Sequence, residues 1–158
     1  MTNLKQLHDR DFNLWIEKTK EAIQNRDFAN MDWDNLLDEI DDMGKSEKRA
    51  LDSYMQRLIE HILKLKYWRA TPRRRKAQGN ARDEAEVERC RKGWQQEVVN
   101  FRNRINRILK KNPSLQNYLK SEYRDIYQDA IATMSFDFEI PDDDLVEVEQ
   151  IMQDGYFG

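Results

Sequence analysis

Apolar positions recur every three or four residues along most of this chain, with runs of charge between them. Asp9 or Asp11 can cap a first helix, because Phe12, Trp15, Ile16, Thr19 and Ile23 then share one face. That helix should end near "QNRDF". Asp32 can cap a second helix with Trp33, Leu36, Leu37, Ile40 and Met43 on its apolar face, and Gly44 suits a left-handed terminator. Ser46 then reads as the cap of a third helix. Its stripe of Leu51, Tyr54, Met55, Leu58, Ile59, Ile62 and Leu65 runs to about Trp68.

The rhythm breaks after Trp68. Thr71-Pro72 disfavours helix and Gly79-Asn80 reads as a turn, so residues 70–81 form a basic mobile connection. Helix resumes near Ala81, with Arg82 to Glu86 and Glu88 to Lys92 spaced for pairing along one turn. Its apolar stripe is Val87, Cys90, Trp94, Val98, Phe101, Ile105, Ile108 and Leu109. "KKNPSLQNYL" is a break and restart: Lys110 and Lys111 suit a helix C-terminus, Asn112 or Ser114 a cap, and Pro113 a first turn. Leu115, Tyr118, Leu119, Ile126, Tyr127, Ala130 and Ile131 mark a fifth helix, and "DDDLVEVEQIMQD" a short acidic one. The pattern predicts an all-α fold: an antiparallel bundle of four to five helices with a short C-terminal acidic helix. At 158 residues the chain suits a single helical domain over 1–158.

Composition supports this and adds charge. Five Gly and three Pro are few for the length, and charged residues reach 36% alongside a full set of aromatics, which separates the chain from disordered ones. The net charge of −3 hides a division. Residues 69–92 hold nine basic and four acidic side chains, about +5, whereas the acidic segment 135–158 holds eight acidic and no basic ones, about −8. No window has the length of a signal-peptide core or a membrane span, so a cytoplasmic location without membrane contact is expected. With Cys90 alone, no intrachain disulfide and no cysteine zinc cluster can form.

The segments "DFNLW", "DWDNLLDEIDDMGKSEKRAL", "HILKLKYW", "GWQQEVVNFRNRI" and "NPSLQNYL" stand in a fixed order. In them the chain resembles the bacterial, cyanobacteria-rich domain-of-unknown-function family 29 across roughly residues 9–134. The resemblance implies a compact helical protein and supplies no activity, cofactor or catalytic residue. Relatives commonly carry a shorter acidic or mixed link and a histidine before the next tryptophan; here Gly93 precedes Trp94 and "TPRRRKAQGNARDEA" is extra basic material.

Three places can be weighed as sites. The carboxylates between Asp32 and Glu47 read first as a helical corner, acidic end against basic start, with Lys48 and Arg49 answering Asp41 and Asp42 across Gly44. Their metal reading, with Asp38, Glu39 or Asp42 as oxygen ligands, lacks calcium-loop spacing. Glu39 and His61 lie at the edges of adjacent stripes and suit a structural polar pair or a weak metal candidate. Leu58 stands where a di-iron bundle would need glutamate, and His8 falls in a frayed N-terminus. Trp15, Trp33, Trp68 and Trp94 suit core packing. The basic arm, Arg73, Arg74, Arg75 and Lys76, reads as solvated or self-neutralised by the acidic tail, with protein or nucleic acid as alternative partners. A helix-turn-helix over the second and third helices is disfavoured by their acidity.

Ser46 reads as a cap, Cys90 lacks a histidine partner and no Gly-rich phosphate loop exists, so catalysis has no machinery in the sequence. The leading expectation is therefore a non-catalytic interaction or regulatory protein with no cofactor, using its arm, its acidic tail or an exposed helix face against a protein partner or a second copy. A nucleic-acid binder using residues 69–92 and a metal-dependent enzyme using Glu39 and His61 are the alternatives.

Overall fold

A computed structural model describes residues 3–68 and 81–158. All regular structure among them is helical: α1 (Leu4–Arg10), α2 (Phe12–Gln24), a 3-10 turn (Phe28–Asn30), α3 (Trp33–Tyr67), α4 (Ala81–Lys111), α5 (Leu115–Met134) and α6 (Val148–Ile151). The all-α expectation is met. The residues cluster into two compact units, Met1–Ser46 and Glu47–Gly158.

In the first unit, local chemistry sets the helix starts. The Asn3 side chain accepts from the Lys5 amide at 3.0 Å and opens α1, and Asp11 accepts from the Leu14 amide at 3.0 Å and opens α2. Residues 4–10, with His8 among them, are thus a helix capped at Asp11 and not the frayed segment that the sequence suggested. Its Leu4 and Leu7 are buried with Trp15, and Leu14 and Leu36 pack against them. Arg26 takes a left-handed backbone (φ 55°) and ends the α2 turn where "QNRDF" predicted. Asp32 opens α3 as expected, its carboxylate accepting from the Asn35 amide at 3.4 Å and from Asn35 Nδ2 at 2.7 Å.

The predicted break at Gly44 does not exist. Residues 33–67 form one helix of 35 residues, and Ser46 lies inside it. A mid-helix glycine costs only about 1 kcal/mol, which the helix-favouring flanks and the packing of residues 51–65 outweigh. The corner disappears with the break: Lys45 meets Asp41 at 2.6 Å, one turn back on the same helix.

The second unit has a deep core. Leu51, Met55, Leu58, Ile59, Ile62 and Leu63 of α3 are fully buried, with Val98 and Ile105 of α4 and Leu119 and Tyr127 of α5. Contacts from Glu47–Lys111 through Tyr54–Phe101 to Trp68–Trp94 run in opposite residue order, so α4 is antiparallel to α3. The "KKNPSLQNYL" break falls between Lys111 and Leu115 as predicted, but its chemistry differs. Ser114 makes no side-chain cap bond, and Asn112 instead donates to the Ile108 carbonyl at 3.0 Å, closing α4. The acidic tail has only a four-residue helix, and Val146, Val148 and Ile151 bury it in the same core.

Candidate functional site

Glu39 and His61, paired in the sequence reading, share one helix. Twenty-two residues separate them in the sequence of α3, because the second and third predicted helices are one. Each has another partner. Glu39 Oε1 meets His8 Nε2 at 2.9 Å, while His8 Nδ1 faces Asp9 Oδ1 at 3.2 Å and the imidazole lies edge-on to Trp15. Bonding to Glu39 first, then to Asp9, raises the His8 pKa above its ordinary value. His61 is half-buried and points the other way chemically: its Nδ1 lies 2.7 Å from the Arg57 carbonyl, and Phe101 covers the ring. A carbonyl only accepts, so Nδ1 carries the proton. Burial lowers the pKa of this ring and so favours its neutral form.

Asp38, Asp41 and Asp42 are exposed. Among the described residues no group of three or more His, Cys, Asp and Glu converges to hold a metal. Arg73, Arg74, Arg75 and Lys76 lie outside the described residues. Cys90 is exposed on α4.

One polar cluster was missed. Asp144, buried between the acidic positions of the tail, accepts from Lys66 Nζ and Tyr127 OH, each at 2.5 Å, and from Tyr67 OH. Burial pushes its carboxyl up, but Lys66, Tyr127 and Tyr67 outweigh this and hold the pKa below the ordinary value. Nearby, Tyr123 OH donates to the Val146 carbonyl at 2.5 Å. Arg102, 2% exposed, donates to the carbonyls of Ile151 (2.8 Å) and Tyr156 and lies 5.7 Å from the Phe157 ring. Every one of these bonds ties the tail to a helix. With three donors on one carboxylate, the cluster has the chemistry of a clamp. The sequence signal was the alternation in "DLVEVE": Val146 and Val148 face inward with the period of an extended chain, and that register turns Asp144 inward too.

The cleft beside Lys66, Arg91 and Phe157, of about 400 Å³, is also already supplied with counter-charge. Lys66 is on Asp144, and Arg91 lies 3.7 Å from Glu88.

What distinguishes the first unit is unburied apolar surface. Among the described residues it buries four large hydrophobic side chains (Leu4, Leu7, Trp15, Met31) and exposes eight: Phe12, Ile16, Ile23, Phe28, Trp33, Leu37, Ile40 and Met43. Among the described residues of the second unit 20 hydrophobic residues are buried and three large ones exposed, so among the described residues exposure is concentrated in the first unit. Trp33, Leu37, Ile40 and Met43, expected in a core, are 47%, 62%, 54% and 69% exposed. Concentrated apolar surface of this kind marks interaction sites.

The matching family model, Domain of unknown function DUF29, covers residues 7–157. No curated protein and no solved structure matches the chain. A match over nearly the whole length carries the likeness past the quoted segments to both units, the last turn of α1 and the clamped tail included, and the chain belongs to the DUF29 family.

Proposed function

We propose that this chain is a non-catalytic helical interaction module of the bacterial cytoplasm, whose first unit presents an apolar helix face to a protein partner. The observation that carries this reading is the imbalance within Met1–Ser46, eight large apolar side chains exposed against four buried. Full burial of a side chain of that size is worth roughly 1.5–3 kcal/mol, and each of these, about half exposed, forgoes part of it, which association recovers in part. The polar groups argue the same way from the other side. His8, His61 and Asp144 are engaged with Glu39, the Arg57 carbonyl and three donors respectively.

Site-specific photo-crosslinking in host cells tests the reading. A crosslinking residue at Leu37 or Ile40 is expected to trap a discrete protein, and one at Gln116, exposed on α5, to trap none. Equal trapping at all three positions, or none at any, would reject it.

A further inference from the structure

The outer face of α4, in the second unit, has a different chemistry. On the helical wheel Arg89, Lys92, Arg104, Arg107, Lys110 and Lys111 fall within an arc of about 120°, opposite the buried Val98 and Ile105. Gln96, Asn100 and Asn103 lie on the same arc between them. All nine are exposed. The one acidic residue between Arg89 and Lys111, Glu97, falls beyond the Arg104 edge of the arc, and Glu86, in line with it, comes before Arg89.

Helix chemistry alone does not account for these cations. Lys110 and Lys111 stand in the last turn, where the dipole favours positive charge, but Arg89, Lys92 and Arg104 lie about two to six turns earlier. Nor is the charge answered within the unit. Among the described residues only Lys111 of the six has a carboxylate within 4 Å, Glu47 at 3.7 Å. Arg104 donates to the neutral Tyr54 hydroxyl at 3.1 Å and keeps its charge uncompensated.

The makeup of the face selects its partner. A protein interface is centred on aromatic or apolar anchors, and a helix lying on a membrane buries an apolar side. This arc has neither; Val99, 44% exposed, stands just outside it. Cations interleaved with amides suit phosphates, sugars and base edges, because the cations neutralise backbone charge and the amides both donate and accept. A single strand is disfavoured, since the arc holds no ring for a base to stack on. The B-form major groove admits a helix, whereas the deep, narrow groove of duplex RNA does not. From Arg89 to Lys111 the face runs about 33 Å, close to one turn of DNA at about 34 Å.

We infer that the outer face of α4 binds double-stranded DNA, with Arg89, Lys92, Arg107 and Lys110 on phosphates and Asn100 and Asn103 hydrogen-bonding the duplex between them. This goes beyond the interaction reading. It uses a surface of the other unit and no apolar contact, so either can fail without the other.

The test is fluorescence anisotropy of the full chain with a labelled DNA duplex of about 20 base pairs, about two turns. Saturable binding is expected at about 50 mM salt, and four phosphate contacts imply a loss of roughly 100-fold by about 200 mM. Arg107→Gln with Lys110→Gln should weaken binding about tenfold and flatten its salt dependence, while Arg10→Gln with Lys20→Gln, exposed in the first unit, should leave both nearly unchanged. Circular dichroism checks that each variant stays folded. Lysine acetylation read by mass spectrometry tests the unaltered chain: the duplex is expected to protect Lys92 and Lys110 and not Lys20. The same sequence as duplex RNA, the single strand and a poly-glutamate peptide should each bind at least several-fold more weakly. The inference is overturned by absence of duplex binding, by binding indifferent to salt or to the Arg107 and Lys110 substitutions, by unprotected Lys92 and Lys110, or by equal binding of duplex RNA, the single strand or poly-glutamate, the last of which would point to an acidic protein instead.

Discussion

Asp144 and His8 are two side chains with opposite dependence on pH. The Asp144 carboxylate leaves water for three donors, and its pKa lies below the ordinary value, so the folded chain favours its charged form. That stability is complete above the ordinary aspartate pKa, about 3.9, and is lost as pH falls from there through the lower folded value. Asp144→Ala strands Lys66 and two tyrosine hydroxyls in a partly buried site. It should cost about 2–3 kcal/mol at neutral pH, read by urea denaturation, and Asp144→Asn should flatten the acid limb of stability. His8 behaves in reverse. Its pKa is raised by Glu39 and Asp9, so its contribution is complete below the ordinary histidine value, about 6.5, and disappears as pH rises through the higher folded value. An NMR titration of the His8 ring should give a pKa above that of an exposed histidine, and Glu39→Gln should bring it down. An unchanged His8 titration in that variant would contradict the assigned pair.

At the scale of elements, α3 decides most. A left-handed glycine between two helices resists alanine, because a Cβ is strained there; a helical glycine with open space around it welcomes one. Gly44 is of the second kind, with nothing within 4 Å of an added Cβ. Gly44→Ala should therefore stabilise the protein by about 0.5–1 kcal/mol, seen as a higher denaturation midpoint. A loss of stability would restore the broken-helix reading. The same helix explains what was legible from sequence. The stripe at Leu51, Met55, Leu58 and Ile62 was read from its period and is core. The stripe at Trp33, Leu37, Ile40 and Met43 has the same period and is exposed, because periodicity says which side of a helix is apolar and not what covers it. Gly44 misled for a related reason: a terminator signal is local, while the continuity of the helix is carried by residues on both sides. The Glu39–His61 pairing assumed the same break, and each of the two has another partner, His8 and the Arg57 carbonyl.

At the scale of the whole molecule, the two units differ in how much holds each together. Residues 51–65 are buried within a core that also takes in α4, α5 and, through Val146, Val148 and Ile151, the clamped tail. The first unit rests on Leu4, Leu7 and Trp15, supplemented by Trp15 Nε1 donating to the buried Asp32 carboxylate at 3.2 Å and by the His8–Glu39 bond. Local opening free energies follow buried apolar contact, so native-state hydrogen exchange should divide along the chain. Amides in α1, α2 and residues 33–43 are expected to exchange through low-energy openings, well before those of residues 51–65, which should wait for the global transition. The division should persist even though residues 33–43 and 51–65 belong to one continuous helix, because the helix backbone is the same in both and only its covering differs. Uniform protection along α3 would mean that the first unit is held as firmly as the second, and the exposed stripe would then have no stability to gain from a partner.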